Sequence, residues 1–201
     1  MAMSYRETYG FRLSPVWILI IINITMYIAK VAVPDLVYLL GLNLLSFPSA
    51  PWTLVTSLFI HANIWHILFN MWTLYFFGTY LSRLIGWGRF LLVYFCGGML
   101  GGAFFLLLAS PLYIAIGASG AIFALGGALA VMRPNLRVFV FPVPVPIPLW
   151  IAIIGGFFII SLLPGIAWQA HLGGMLFGLI TGYFFRRRER TRNTFSGYVR
   201  Y

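Results

Sequence analysis

Gly117-Ala118-Ser119-Gly120 opens an apolar segment, residues 119–132 (SGAIFALGGALAVM), that precedes Arg133. As a helix this segment measures about 21 Å, whereas the hydrocarbon core of a bilayer is about 30 Å thick. One end of the helix must therefore be sunk in the bilayer. If Arg133 holds the C-terminal end at the cytoplasmic surface, Ser119 lies about 10 Å below the opposite surface. We expect residues 111–118 to reach it as irregular backbone beside a water-filled pocket, because such backbone is tolerated at depth only where protein or water satisfies it.

The composition is that of an integral membrane protein. Of 201 residues, 62% are hydrophobic and 8% are charged, and the mean hydropathy is +0.96, outside the range of soluble domains. Windows of about 19 residues give six apolar segments, at residues 14–33, 63–82, 89–110, 119–132, 148–163 and 170–185. The sequence predicts an all-α, polytopic six-transmembrane-helix bundle that forms one membrane domain over residues 1–201. We expect the first segment to be a retained span and not a cleaved signal peptide.

Arginine occurs at every second connection between these segments. The positions are Arg6 and Arg12 before the first segment, Arg83 and Arg89 after the second, Arg133 and Arg137 after the fourth, and Arg186, Arg187, Arg188, Arg190 and Arg192 after the sixth. Because Lys and Arg are retained on the cytoplasmic side of short loops, we expect both termini in the cytoplasm, in a multi-pass protein of the plasma membrane. The net charge of +10 is then explained by the membrane topology and does not indicate nucleic-acid binding. We expect the basic tail, residues 186–201, to contact anionic lipid heads, and we expect no nucleic-acid partner.

Two segments carry small residues along one helical face. In the sixth segment, glycines follow His171 at i+3, i+7 and i+11, namely Gly174, Gly178 and Gly182. In the fourth segment, small residues stand at i+7 and i+11 from Ser119, namely Gly126 and Ala130. Small residues allow helices to approach closely in lipid. Packing of these two stripes would bring Ser119 and His171 side by side.

A serine and a histidine placed together suit nucleophilic catalysis. A serine hydroxyl becomes a good nucleophile when a histidine within hydrogen-bond reach takes its proton, which indicates Ser119 as nucleophile and His171 as base. A carboxylate usually orients such a histidine, but the chain offers only Glu7, Asp35 and Glu189. The first and last of these are expected on the cytoplasmic side, and Asp35 lies where the first segment ends. The sequence therefore predicts a Ser–His dyad.

The second segment supplies polar groups for the oxyanion of acyl transfer. His66 and Asn70 are four residues apart, hence on one helical face. With the backbone N–H of Ser119, these two side chains could donate to an oxyanion, and each such donor can be worth about 3–4 kcal/mol. Residues 117–121 do not fit the G-x-S-x-G elbow of soluble hydrolases, because Ala121 stands in the fifth place. A different fold is implied.

On these residues the chain resembles the rhomboid family of intramembrane serine proteases, in its prokaryotic-type six-span form. The matching motifs are Gly117-Ala118-Ser119-Gly120, residues 66–70 (HILFN), and Ala170-His171 followed by Gly174 and Gly178. The resemblance implies that Ser119 attacks, that His171 acts as base and then as acid, and that His66 and Asn70 line the oxyanion site. It also implies single-span or multi-span membrane proteins as substrates, cleaved near the outer membrane face after sideways entry past the fifth segment and residues 164–169.

The long first connection, residues 34–62, adds two observations. His61 matches a further histidine of the family, and we expect it to be structural or to line the cavity. Many relatives carry a Trp-Arg pair where this chain has Trp52-Thr53. The change removes an arginine as loop anchor but touches no catalytic residue. The connection is too apolar for a solvated loop, and we expect it to lie partly embedded at the outer surface.

Other interpretations of the same residues stay open. Ser119 could be only a helix N-cap, and intramembrane histidine and asparagine can serve as interhelical hydrogen-bond partners. A non-proteolytic rhomboid-like protein that binds client membrane proteins is disfavoured by the complete Ser119/His171 pair, and a small transporter by the lack of acidic residues within the segments. We expect no cofactor and no metal, since His61 and His66 are five residues apart with no carboxylate near them in sequence.

Overall fold

The structure, a computed structural model, describes residues 13–140 and 144–198, with side chains of the last helix described as far as Glu189 and at Thr191. The described part is mostly helical. In chain order the elements are α1 (Pro15–Ala32), α2 (Leu36–Leu40), α3 (Thr53–Thr56), a 3-10 turn (Ser57–Phe59), α4 (Ile64–Ile85), α5 (Trp87–Leu108), α6 (Ser119–Met132), β1 (Arg137–Val138), β2 (Ile147–Pro148), α7 (Leu149–Ser161) and α8 (Trp168–Tyr198).

Each of the six predicted apolar segments coincides with one of the longer helices. The helices α1, α4, α5, α6 and α7 begin and end within three residues of the predicted bounds. Helix α8 instead continues well past residue 185, to Tyr198. Arginine and glutamate are good helix formers, so the polar continuation keeps the helix going after the apolar segment has ended.

Length and hydropathy alone identify fewer membrane crossings than six. Among the described helices, α1 and α5 are each long and apolar enough to cross a bilayer. A third crossing is obtained if Thr53–Phe59 and Ile64–Ile85, which meet at a bend of 95°, are taken as one broken span. The apolar helices α6 and α7 are shorter, with 14 and 13 residues. Six crossings are therefore a proposal and not a consequence of helix length.

The expectation of a purely helical chain needs one small correction. Strands β1 and β2 form a two-stranded antiparallel ribbon in which Arg137 pairs with Pro148 and Val138 with Ile147. The prolines between α6 and α7 exclude helix and favour an extended chain, which explains why a ribbon forms here. Pro142 of this connection lies outside the described residues, as do Arg6 and Arg12 and the last residues of the basic tail.

Helix α6 lies at the centre of the bundle, packed against both α5 and α8, which also contact each other, and most of its residues are buried. Glycines of α8 bring its backbone directly onto that of α6. A Cβ atom on Gly174 would collide with the carbonyl oxygen of Gly120, and one on Gly178 with that of Ala124. At Gly182 the same atom would lie 2.7 Å from the carbonyl oxygen of Ala128. The predicted glycine stripe of α8 therefore does form a close helix contact.

The α6 side of this contact differs from the prediction. The facing residues are Gly120, Ala124 and Ala128, each at the backbone contact just described. The predicted Gly126 and Ala130 are not in that row, and Gly126 instead faces Ile153 of α7. Helix α6 carries small residues on several faces, so spacing from Ser119 alone selected the wrong one. The face used is one residue further along the helix.

The far ends of α6 and α8 are joined by polar contacts. Arg133 ends α6 and forms a two-pronged ion pair with Glu189, with nitrogen–oxygen distances of 2.6 and 2.8 Å. Arg186 donates to the carbonyl of Val131 at 3.1 Å, one of the carbonyls that a helix end leaves without an intrahelical partner. The hydrogen bond with Glu189 raises the pKa of the Arg133 guanidinium above its ordinary value. These contacts place Glu189 at the opposite end of α6 from Ser119.

The long first connection is anchored without an arginine. Leu42 and Ala115 exchange backbone hydrogen bonds of 2.8 and 2.9 Å, and the Asn43 amide donates to the carbonyls of Pro111 and Tyr113 at 2.6 and 2.8 Å. Trp52 donates from its indole to the carbonyl of Leu39 at 3.3 Å. The bonds of Leu42 and Asn43 tie the connection to the irregular segment that leads into α6, and the bond of Trp52 holds the connection to itself, so none of these contacts needs an arginine at position 53.

Candidate active site

Ser119 and His171 meet where the N-terminal ends of α6 and α8 are in contact. Ser119 is the first residue of α6 and His171 lies in the first turn of α8. The Ser119 Oγ is 2.7 Å from the His171 Nε2, a normal length for a strong hydrogen bond. The His171 side chain is buried and Ser119 is half-buried. The predicted pair is thus brought together, by the glycine contacts further down the same two helices.

Gly117, two residues before Ser119, is required to be a glycine for two reasons. Its φ is +117°, a conformation that residues with a side chain rarely adopt. A Cβ atom at this position would also lie 2.7 Å from the Cε1 and Nε2 atoms of His66. The Gly117 N–H donates to the carbonyl of Ser57 at 2.8 Å, which fixes the turn. Only glycine allows this turn and leaves room for the imidazole beside it.

His66 presents a hydrogen-bond donor toward this turn. Its Nδ1 accepts from the backbone N–H of Ala62 at 3.3 Å, so a neutral ring carries its proton on Nε2; this assignment follows from the hydrogen bond. The Cβ position of Gly117, 2.7 Å from that Nε2, is 3.8 Å from the Ser119 Oγ. The Nε2–H group therefore lies in the immediate surroundings of the serine hydroxyl.

Asn70 lies one helical turn after His66 on the same face of α4 and is buried. Its amide nitrogen donates to the His66 carbonyl at 2.8 Å, which leaves the second N–H of the amide available to another acceptor. Helix α4 begins immediately before these residues because the side chain of Asn63 caps it, accepting from the His66 N–H at 2.9 Å. The cap fixes where His66 and Asn70 stand relative to α6.

His61 has contacts that suit a structural role. It is fully buried, and its Nε2 accepts from the N–H of Ala118 at 3.5 Å. Its ring also meets that of His66 edge to face, with centroids 5.0 Å apart. The side chain thus supports both the backbone just before Ser119 and the imidazole of His66.

Phe123 belongs to the site although the sequence analysis did not single it out. Its ring stacks on the imidazole of His171 with centroids 4.7 Å apart and planes inclined by 28°. The His171 Nδ1 is buried and has no hydrogen-bond partner among the described residues, so none of their carboxylates holds the ring at that atom. The sequence contains one indication of this position: Phe123 follows Ser119 at i+4, which places both on the same face of α6.

Gly120, Gly174 and Gly178 have packing roles. Gly120 faces both Ala170 and Gly174 of α8, with its Cβ position 3.1 Å from the Ala170 carbonyl oxygen. Gly174 and Gly178 are the residues whose backbone rests on α6. Any side chain at these positions would push His171 away from Ser119, so the glycines set the distance between the two reactive groups.

Comparison with known proteins finds matches to a protein family and to several curated proteins. The family model described as "Rhomboid domain" matches residues 48–188. RHOMBOID-like protein 1 of Arabidopsis thaliana is 34% identical over 154 residues, which are 74% of this chain and 39% of that protein. Rhomboid protease GluP of Bacillus subtilis is 38% identical over 130 residues, 63% of this chain and 24% of that protein.

A mitochondrial relative matches over a similar range. Rhomboid protein 1, mitochondrial, of Saccharomyces cerevisiae is 29% identical over 142 residues, 66% of this chain and 41% of that protein. The chain thus spans less than half the length of these curated relatives. The matched region includes α4, which carries His66 and Asn70, α6, which carries Ser119, and the part of α8 that carries His171. From the extent of the family match, the chain belongs to the rhomboid family.

Proposed function

We propose that this chain is an intramembrane serine endopeptidase that cleaves membrane-anchored proteins with a Ser119/His171 dyad. The observation that carries the proposal is the hydrogen bond of 2.7 Å between Ser119 Oγ and His171 Nε2. It is supported by the family, in which a relative of this chain is named a protease. A serine that served only as an N-cap would bond a backbone N–H of its own helix, whereas this hydroxyl is directed to a histidine on another helix.

The first half of the reaction forms an acyl-enzyme. The His171 Nε2 accepts the proton of the Ser119 hydroxyl as the oxygen attacks the scissile carbonyl carbon. The negative charge that develops on the carbonyl oxygen is stabilised by three donors, the Ser119 backbone N–H, the His66 Nε2–H and the free N–H of Asn70. The protonated His171 then gives its proton to the leaving amine, and the C–N bond breaks.

The second half restores the enzyme. Water takes the place of the amine, His171 accepts its proton, and the hydroxide attacks the ester carbonyl. Collapse of the second tetrahedral intermediate releases the new carboxyl end and returns the proton to Ser119. Stacking against Phe123 keeps the imidazole in the plane that both steps need.

The proposal places this chemistry inside the membrane, in a bundle with six crossings. Its support is the length of α6, 14 residues or about 21 Å, which is too short to cross unless Ser119 is sunk below one surface. In this arrangement both termini lie in the cytoplasm, the site opens toward the outer face, and the basic tail contacts anionic lipid heads.

Substrate entry is proposed beside α7. Three of the 13 residues of α7 are buried, against eleven of the 14 in α6, and among the described residues no atom lies within 4 Å of the Cβ positions of Gly155 and Gly156, so α7 packs less tightly than α6. A substrate helix is expected to approach between α7 and its neighbours, past residues 164–169, and to unravel into the site. The substrates would be single-span or multi-span membrane proteins.

The test is cleavage of a single-span reporter by the purified protein in liposomes. Wild type is expected to cleave it, whereas Ser119→Ala and His171→Ala should be inactive. Asn70→Ala should lower turnover about 10²-fold while the fold is retained. Equal cleavage by all the variants would refute the assignment, and a stable client complex without cleavage would favour a non-proteolytic rhomboid-like protein.

A further inference from the structure

An open groove lies on the surface between the start of α1 and the end of α4. Its volume is about 720 Å³, and it is lined by Leu13 and Ser14 just before α1, by Trp17 of α1, by Tyr75, Thr79 and Arg83 of α4, and by Trp87 at the start of α5. His66, Tyr75 and Arg83 lie on the same helix, so along its axis the Arg83 end of the groove is about 25 Å from His66 and the Tyr75 end about 13 Å. It is a separate feature of the molecule.

One end of the groove is polar and positively charged. Arg83 is exposed, and the ion pair found in the described part of the chain, between Arg133 and Glu189, is elsewhere. Two residues with hydroxyl groups, Ser14 and Thr79, also line the groove. The Ser14 oxygen accepts from the Trp17 N–H at 3.4 Å, which leaves its own O–H to donate. An anion with several oxygens, such as a phosphate group, suits this set of donors.

The other end is aromatic and leads onto an apolar helix face. The rings of Trp17 and Tyr75 are in contact, with centroids 5.3 Å apart, although 47% and 38% of their surfaces are exposed. Beyond them, the outward face of α1 is apolar and exposed at Ile18, Ile21 and Ile28. Tryptophan and tyrosine beside arginine are typical of the membrane–water interface, so hydrocarbon chains are the natural neighbours of this face.

We propose that the groove binds one anionic phospholipid. The phosphate lies between Arg83, Ser14 and Thr79, and the acyl chains pass over Trp17 and Tyr75 onto α1. A soluble acidic peptide fits less well, because the groove continues into a surface suited to lipid and not to water. Lipid binding in this groove requires neither the basic tail nor the Ser119/His171 chemistry. It can therefore be tested independently of the proposed activity.

The test measures lipid retention by the full chain, delipidated in detergent and titrated with phosphatidylglycerol or phosphatidylcholine under native mass spectrometry. Wild type should retain one phosphatidylglycerol in preference to phosphatidylcholine. Arg83→Gln should weaken this binding roughly fivefold, and Arg83→Lys should largely preserve it. Arg89→Gln is the matched control, since Arg89 has the same charge and lies near the start of α5, just after the turn that follows Arg83, but is over the ring of Phe185, 6.0 Å from its centroid.

Three outcomes would overturn the proposal. Equal retention of both lipids would remove the anionic preference, and equal loss in Arg83→Gln and Arg89→Gln would indicate a diffuse electrostatic effect. Arg83-dependent binding of an acidic peptide, with no bound lipid, would assign the groove to a protein partner. As a second variant, Trp17→Ala should weaken both lipids together, because it removes apolar contact and leaves the charge unchanged.

Discussion

Gly178→Ala tests whether the α6–α8 backbone contact sets the geometry of the reactive pair. The added methyl group would collide with the Ala124 carbonyl oxygen, whereas carbon and oxygen atoms of packed helices normally stay about 3.3–3.6 Å apart. Relief of the collision requires the helices to separate by about 1 Å. Gly178 is two turns from His171, so a large part of this displacement reaches the bond of 2.7 Å between His171 and Ser119.

The expected effect on activity follows from that displacement. Misplacement of reacting groups by about 1 Å can lower the rate about 10²-fold. Overpacking should also lower the free energy of unfolding by about 1–3 kcal/mol, partly offset by the better helix propensity of alanine, worth up to about 1 kcal/mol. Reporter cleavage in liposomes and thermal unfolding measure the two effects separately.

The control is Gly88→Ala, because no atom of the residues that the structure describes lies within 4 Å of that Cβ position. It should leave turnover unchanged. In Gly182→Ala the added methyl group would lie 2.7 Å from its nearest neighbour and further from His171. Its turnover should therefore lie between those of Gly178→Ala and Gly88→Ala. Wild-type turnover and stability in Gly178→Ala, or equal losses in Gly88→Ala, would refute the reasoning.

Three further changes give distinct outcomes. His66→Phe keeps a ring against Gly117 but removes the donor, so kcat should fall about 10²-fold with KM little changed; a change confined to KM would contradict an oxyanion role. Phe123→Leu should reduce kcat up to about tenfold by loss of the ring contact with His171, and Phe123→Tyr should restore it; equal rates for all three proteins would show that stacking is unimportant. Glu189→Gln breaks a pair whose side chains are 29% and 34% exposed, so thermal unfolding should report a loss below about 1 kcal/mol, and a larger loss would show that the pair is effectively buried.

The sequence was most informative at polar residues within apolar segments, because polar side chains are energetically costly to place in lipid. Ser119, His171, His66 and Asn70 stand out because polar side chains are rare in apolar segments, and helical spacing places them on usable faces. The bounds of α6 followed from hydropathy and from Arg133. Such features depend on local sequence, which explains why they could be predicted.

Features that depend on three-dimensional packing were missed. Helix α6 has small residues on most sides, so spacing could not decide that Gly120 and Ala124, rather than Gly126, face α8. Phe123 looks like any apolar residue of a span until its ring is seen on His171. The hydrogen bonds of Asn43 reach 68 and 70 residues along the chain, and no local pattern predicts such partners.

The most direct test of the central claim is to locate a fluorophosphonate adduct by peptide mass spectrometry on the protein in liposomes. We expect a single adduct on Ser119. It should form much more slowly in His171→Ala, in which the base is missing. An adduct on another residue, or labelling that persists in Ser119→Ala, would contradict it.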